Sequence, residues 1–144
     1  MPPENGDNGI SLTIPSTLAG LKEGSEALSG WLSRWNMGEE TSNRAHLVFD
    51  EIVTNIIRYA FDDKREHRIE ISFRFGVDSL TLSFDDDGLP FDPRSAPEPV
   101  KAGSLAKAAI GGRGLLLVRK AARRLEYQRS ASGLNRFSVE LARA

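Results

Sequence analysis

Two hairpin signatures, one mid-chain and one near the end, constrain the fold more than any other feature of these 144 residues. Arg68–Phe75 and Ser79–Asp85 both alternate apolar and polar residues, and Gly76-Val77-Asp78 between them suits a short reversing loop. Arg124–Arg129 and Asn135–Leu141 repeat the pattern, joined by Ser130–Leu134. Alternation with period two turns one face of each strand inward and the other outward, so each hairpin needs a covering layer.

The rest of the chain can supply that layer. Ile10-Ser11-Leu12-Thr13-Ile14 reads as a further strand, ended by Pro15. Ser16 or Thr17 can cap a helix running through Leu18, Leu21, Leu28, Leu32 and Trp35. Gly20, Gly24 and Gly30 oppose it, each by about 1 kcal/mol relative to Ala in a helix interior. A second helix is expected over roughly residues 40–60, and a third opens at Gly111–Gly114 and runs to about Arg123. Gly88–Ile110 holds Pro90, Pro93, Pro97 and Pro99 among small residues and reads as a long loop of the kind that forms lids. The order β-α-α-β-β-loop-α-β-β predicts a two-layer α+β sandwich. Residues 1–9 are expected to be a flexible tail and residues 10–144 one domain.

Composition excludes several classes of function. A net charge of −1 gives no electrostatic reason to expect nucleic acid. Cysteine is absent, which removes disulfides, thiolate zinc sites and a cysteine nucleophile. The two histidines, His46 and His67, are far apart in sequence, which argues against a histidine-built metal site. No apolar run reaches the length of a membrane span and the first residues lack signal-peptide character, so a soluble cytoplasmic protein is expected.

Three stretches can carry chemistry. In Phe49–Tyr59, helical projection puts Val48, Phe49, Ile52, Val53, Ile56, Ile57, Tyr59 and Ala60 on one half. Asp50, Glu51, Thr54, Asn55 and Arg58 fall on the other. Glu51 and Asn55, at i and i+4, share a face, where an amide oxygen can ligate Mg²⁺ and a carboxylate can accept a proton. A solvated polar face would look the same. In Ser83–Asp92, a strand ends in Asp85-Asp86-Asp87-Gly88, which can present a carboxylate at a pocket rim or simply form an Asp-Gly turn. In Ile110–Arg119, Gly111-Gly112-Arg113-Gly114 precedes an apolar helical run. Free backbone N–H groups at such a helix start suit a phosphate, or merely open the helix.

Together and in this order, the three stretches resemble the GHKL ATPase superfamily and, within it, the anti-sigma-factor serine kinases. The matching motifs are Glu51-Ile52-Val53-Thr54-Asn55, Asp86-Asp87-Gly88-Leu89-Pro90 and Gly112-Arg113-Gly114-Leu115, with Gly133-Leu134-Asn135-Arg136 similar to the kinase subgroup. The resemblance covers roughly residues 10–142. It implies a Bergerat-type fold, a mixed but mostly antiparallel sheet with helices on one face. It further implies that Asn55 ligates Mg²⁺ against ATP and that Glu51 is the general base. Asp86 would hold the adenine amine and Gly88 would leave room for the base. The turn Gly112, Arg113, Gly114 and Leu115 would bind phosphate under a lid of residues 93–110. Helical spacing places Arg58 one turn beyond Asn55, within reach of a phosphate. The sequence departs from the pattern at Pro90, where the superfamily carries glycine, and at Ala122, where the subgroup often has an acidic residue.

The function implied is an ATP-dependent serine/threonine kinase acting on an anti-sigma-factor antagonist. A sigma factor and a second copy of the chain are further candidate partners; nucleic acid and membrane are not. The competing reading is a non-catalytic module that uses ATP to hold a regulator, and Glu51 argues against it. A histidine-kinase catalytic domain ranks lower, because neither histidine sits in a phosphoacceptor context.

Overall fold

The computed structural model describes residues 9–63, 65–90, 92 and 114–143. Five strands form one sheet: β1 (Gly9–Pro15), β2 (Arg68–Phe75), β3 (Ser79–Asp86), β4 (Arg124–Arg129) and β5 (Asn135–Ala142). Their spatial order is β1-β2-β3-β5-β4, and every hydrogen-bonded pair is antiparallel. β3 and β4 do point the same way, but β5 inserts between them, so the parallel relation expected of a mixed sheet never becomes a pairing. The expected tail falls outside the described residues except for Gly9, which already pairs with Arg74. The lid segment 93–110 also lies outside them.

Helix α1 (Leu18–Arg34) starts where the sequence indicates: Thr17 is its N-cap, and the Thr17 hydroxyl accepts the Gly20 N–H at 3.1 Å. Two of the three glycines that count against this helix, Gly20 and Gly24, are explained by packing, while nothing lies against Gly30. A Cβ on Gly24 would run into the Phe49 ring, so the missing side chain lets α1 lie close against α2 (Glu39–Asn55). Tertiary contact thus outweighs local propensity. Glu39 and Glu40 occupy the first turn of α2, complementing the helix dipole.

The helix expected to reach residue 60 changes pitch before it ends. Ile56–Ala60 form a wider π turn, which rotates the residues that follow. Ile56 and Ala60 stay buried, while Tyr59, assigned by projection to the apolar half, is 39% exposed.

The strands alternate as read. Ile69, Ile71 and Phe73 of β2, Leu80, Leu82 and Phe84 of β3, and Val139 and Leu141 of β5 face the helices and are buried. Trp31 of α1 stacks on Phe75 with centroids 4.3 Å apart, closing one end of the core. The other face is open and polar, with Ser11, Ser72, Ser83 and Ser138 in register across four neighbouring strands. Helix α3 (residues 114–121) is anchored to the core by Leu115 and Val118. No helix among the described residues is long and apolar enough to cross a membrane.

Candidate functional site

Strand register builds the first part of the site. Asp86, the last residue of β3, lies directly across from Asn135, the first residue of β5, on the helix-covered face. Both are buried, at 6% and 3% exposure. Asp86 Oδ1 accepts two hydrogen bonds, from the Gly88 N–H at 2.8 Å and from Asn135 Nδ2 at 3.0 Å. Burial raises the carboxyl above its ordinary pKa, and the bonds from Asn135 and Gly88 oppose that rise.

The turn after β3 is stapled to the end of the long helix. Leu89 N–H donates to the Ala60 carbonyl at 2.7 Å. A Cβ on Gly88 would collide with that carbonyl and with the Ala60 side chain. The sequence suggests that Gly88 leaves space for a base; in the fold the place that a Gly88 side chain would take is held by Ala60. Glycine is needed here so that the turn can press onto the π turn, which sets the position of Asp86 two residues earlier.

Asn55 is the last residue of α2 before the pitch changes and is 5% exposed. Its amide nitrogen donates to the Glu51 carbonyl at 2.7 Å, so the oxygen Oδ1 is the atom left for a ligand. Asn55 and Asp86 line one pocket, with Ile52, Ile56, Ala60, Tyr127, Asn135 and Phe137. Its cavity volume of about 20 Å³ matches a single water.

Glu51 lies one turn before Asn55, facing α3. A Cβ on Gly114 would overlap the Glu51 carboxylate, which places that carboxylate directly against the first described turn of α3. The Glu51 pKa is raised, chiefly by burial and further by Asp50, while Arg58 pulls it down. A carboxylate raised in this way is better matched to taking up a proton near neutral pH. Arg58 itself is exposed on the π turn.

The structure therefore brings Asn55 and Asp86 into one pocket and sets Glu51 against Gly114. Leu115, read as part of the phosphate turn, has its side chain in the core at 5% exposure. Gly112 and Arg113 lie outside the described residues. The residues without an assigned role from sequence are Asn135, Tyr127 and Arg129, which surround Asp86. Gly133-Leu134-Asn135-Arg136 was the available signal, since it resembles the kinase subgroup, but no spacing rule links Asn135 to a carboxylate 49 residues earlier.

An antiparallel sheet covered on one face by helices, with this element order, defines an α+β domain of the GHKL type. The chain matches the histidine kinase-like ATPase domain family over residues 14–136 and belongs to it. It is 33% identical over 103 residues to the serine/threonine-protein kinase BtrW of Bordetella bronchiseptica, across 69% of this chain and 72% of that protein. It also shares its fold with a chain of the SiaB–SiaC complex from Pseudomonas aeruginosa. That likeness has a TM-score of 0.63 at 16% identity and covers 94% of this chain and 91% of the other.

Proposed function

We propose that this chain is a serine/threonine protein kinase that uses ATP with Mg²⁺ to phosphorylate an anti-sigma-factor antagonist in a partner-switching circuit. Membership of a histidine kinase-like ATPase family supports the nucleotide, and similarity to BtrW, named a serine/threonine-protein kinase, supports the acceptor. A sigma factor is the second protein partner that such a circuit implies.

The donor set suits an adenine nucleotide. Asp86 offers a buried acceptor to the exocyclic amine, and the backbone at Gly114, in the first described turn of α3, suits a phosphate. Arg58 is exposed close enough to Glu51 to influence it and can meet a phosphate. Among the described residues no group of three His, Asp or Glu side chains is arranged to hold a metal ion. Mg²⁺ would therefore rest on Asn55 Oδ1 and on phosphate oxygens. When bound, Mg²⁺–ATP supplies the phosphoryl group and most of the charge compensation the transfer needs.

The observation that carries the proposal is Glu51. Its carboxylate stands against the first described turn of α3, one helical turn from Asn55, with its proton affinity raised by burial. In that position it can take the proton from an acceptor hydroxyl. The test is single-turnover phosphorylation of a cognate antagonist, with an ATP titration alongside. Glu51→Gln is expected to lower the transfer rate by about 10²–10⁴-fold and leave ATP affinity nearly unchanged. Transfer at the wild-type rate would remove Glu51 from the base role. ATP binding by the wild type without transfer to any antagonist would favour a non-catalytic module.

A further inference from the structure

We infer that Asn135 determines which nucleobase the site accepts, by holding one oxygen of the Asp86 carboxylate out of reach of the base. The inference deepens the ATP-binding reading above and rests on it.

The Asn135 side chain has its full set of partners. Its amide nitrogen donates to Asp86 Oδ1 at 3.0 Å and to the Leu89 carbonyl at 2.9 Å, with the Gly88 carbonyl at 3.4 Å. Its oxygen accepts from Arg129 Nη1 at 2.8 Å and from the Tyr127 hydroxyl. These partners fix the orientation of the amide. A guanidinium can only donate and backbone carbonyls can only accept, so a flipped amide would lose bonds on both sides. Arg129 also donates to the Gly88 carbonyl at 3.1 Å, which ties the same guanidinium to the turn. Asn135 thus joins the end of β3, the turn after it and β4 in one network, buried at Asp86 and Asn135 and reaching solvent at Arg129.

The consequence falls on Asp86. Oδ1 already accepts from Gly88 N–H and from Asn135, one bond for each of its lone pairs. Only Oδ2 remains for a ligand. Guanine offers a carboxylate two donors side by side, its ring N–H and its exocyclic amine, and engaging both takes both oxygens. Adenine offers its exocyclic amine, which one oxygen satisfies. A carboxylate free on both sides would accommodate either base; with Oδ1 occupied, Asp86 is a single-oxygen acceptor suited to adenine. Asn135 is a positioning residue in this scheme, acting on the base through Asp86.

Calorimetric titration with ATP and with GTP tests this without any requirement for catalysis. The wild type is expected to prefer ATP. Asn135→Ala frees a lone pair on Oδ1 and is expected to narrow the ATP-to-GTP affinity ratio by about tenfold or more, the scale of one charge-assisted hydrogen bond. Tyr127→Phe keeps the ring and removes one donor to Asn135, so it guards against a folding failure in the alanine variant. It is expected to narrow the ratio in the same direction by a smaller factor. A general loosening of the fold would weaken both nucleotides together and leave the ratio unchanged. An unchanged ratio in a variant that still binds ATP overturns the role of Asn135 while leaving the kinase reading intact. A wild type that binds neither nucleotide overturns both.

Discussion

Replacing Gly114 by alanine separates the architecture of this domain from its chemistry. The backbone at Gly114 is not in the left-handed region, and the residue opens the described part of α3, so alanine suits the position conformationally. In a helix interior that exchange is worth up to about 1 kcal/mol in alanine's favour, and less at a terminus. The new methyl group meets the end of the Glu51 side chain rather than backbone. Glu51 is therefore expected to swing away while α3 stays in place. Moving one side chain off its preferred rotamer costs about 0.5–1.5 kcal/mol. The two terms nearly cancel, so thermal unfolding is expected within about 5 °C of wild type. The carboxylate, however, is displaced from the start of α3, and the transfer rate is expected to fall by about 10²-fold or more, close to the loss in Glu51→Gln. Thermal melts and single-turnover phosphorylation together make the test. Wild-type transfer by a folded Gly114→Ala protein would refute the idea that Glu51 works from this position. A melting temperature lowered by well over 10 °C would show that the clash falls on the helix instead.

Asp86→Asn is expected to weaken ATP binding by about 10- to 100-fold in calorimetry, through loss of a charge-assisted bond in a buried site; equal affinity would remove Asp86 from base recognition. A pH effect is expected from His67, which bonds Asp63 at 2.7 Å and faces Asp87 at 3.3 Å. The Asp63 bond is the largest cause that raises His67 and lowers Asp63, so their pairing contributes in full between about pH 4 and pH 6.5. The contribution is lost as pH rises through the raised His67 value, and in acid as pH falls through the lowered Asp63 value. Urea midpoints of wild type and His67→Gln should converge on going from pH 6 to pH 9, and a constant difference would contradict the pairing.

What the sequence made legible follows from the range of the interactions. Strand β2 was read to the residue, because alternation is local and Gly76-Val77-Asp78 marks its end. Thr17 as a cap was legible for the same reason. The π turn was not, because the apolar pattern runs on through Ile56 and Ile57 and carries no mark of the change in pitch. Gly24 looked unfavourable while its partner, Phe49, was out of view; the two meet only when α1 and α2 pack. The candidate site divides the same way. Asp86, Asn55 and Glu51 belong to contiguous motifs, whereas the partners of Asp86 on β4 and β5 arrive through cross-strand register. Gly88 was read from its motif as clearance for a ligand, and only the fold reveals that its missing side chain also clears Ala60.

The placement of β5 bears on how the domain is made. It is the last of the five strands in chain order, yet it lies inside the sheet, paired with β3 on one side and β4 on the other. During synthesis, β1, β2 and β3 can pair as soon as they emerge, but β4 has no neighbour in the sheet until β5 arrives. Until then β3 keeps an open edge, and the apolar residues of β3 that β5 will flank stay partly uncovered, a situation that invites association between nascent chains. Closing the sheet requires Asn135–Ala142 to pair with β3, which is distant in sequence, while carrying β4 with it as a hairpin. Such non-local pairing is slow compared with hairpin formation. A ribosome stall just before residue 135 would thus leave two disconnected parts of a sheet and an Asp86 without its partner Asn135, rather than a domain shortened at its margin.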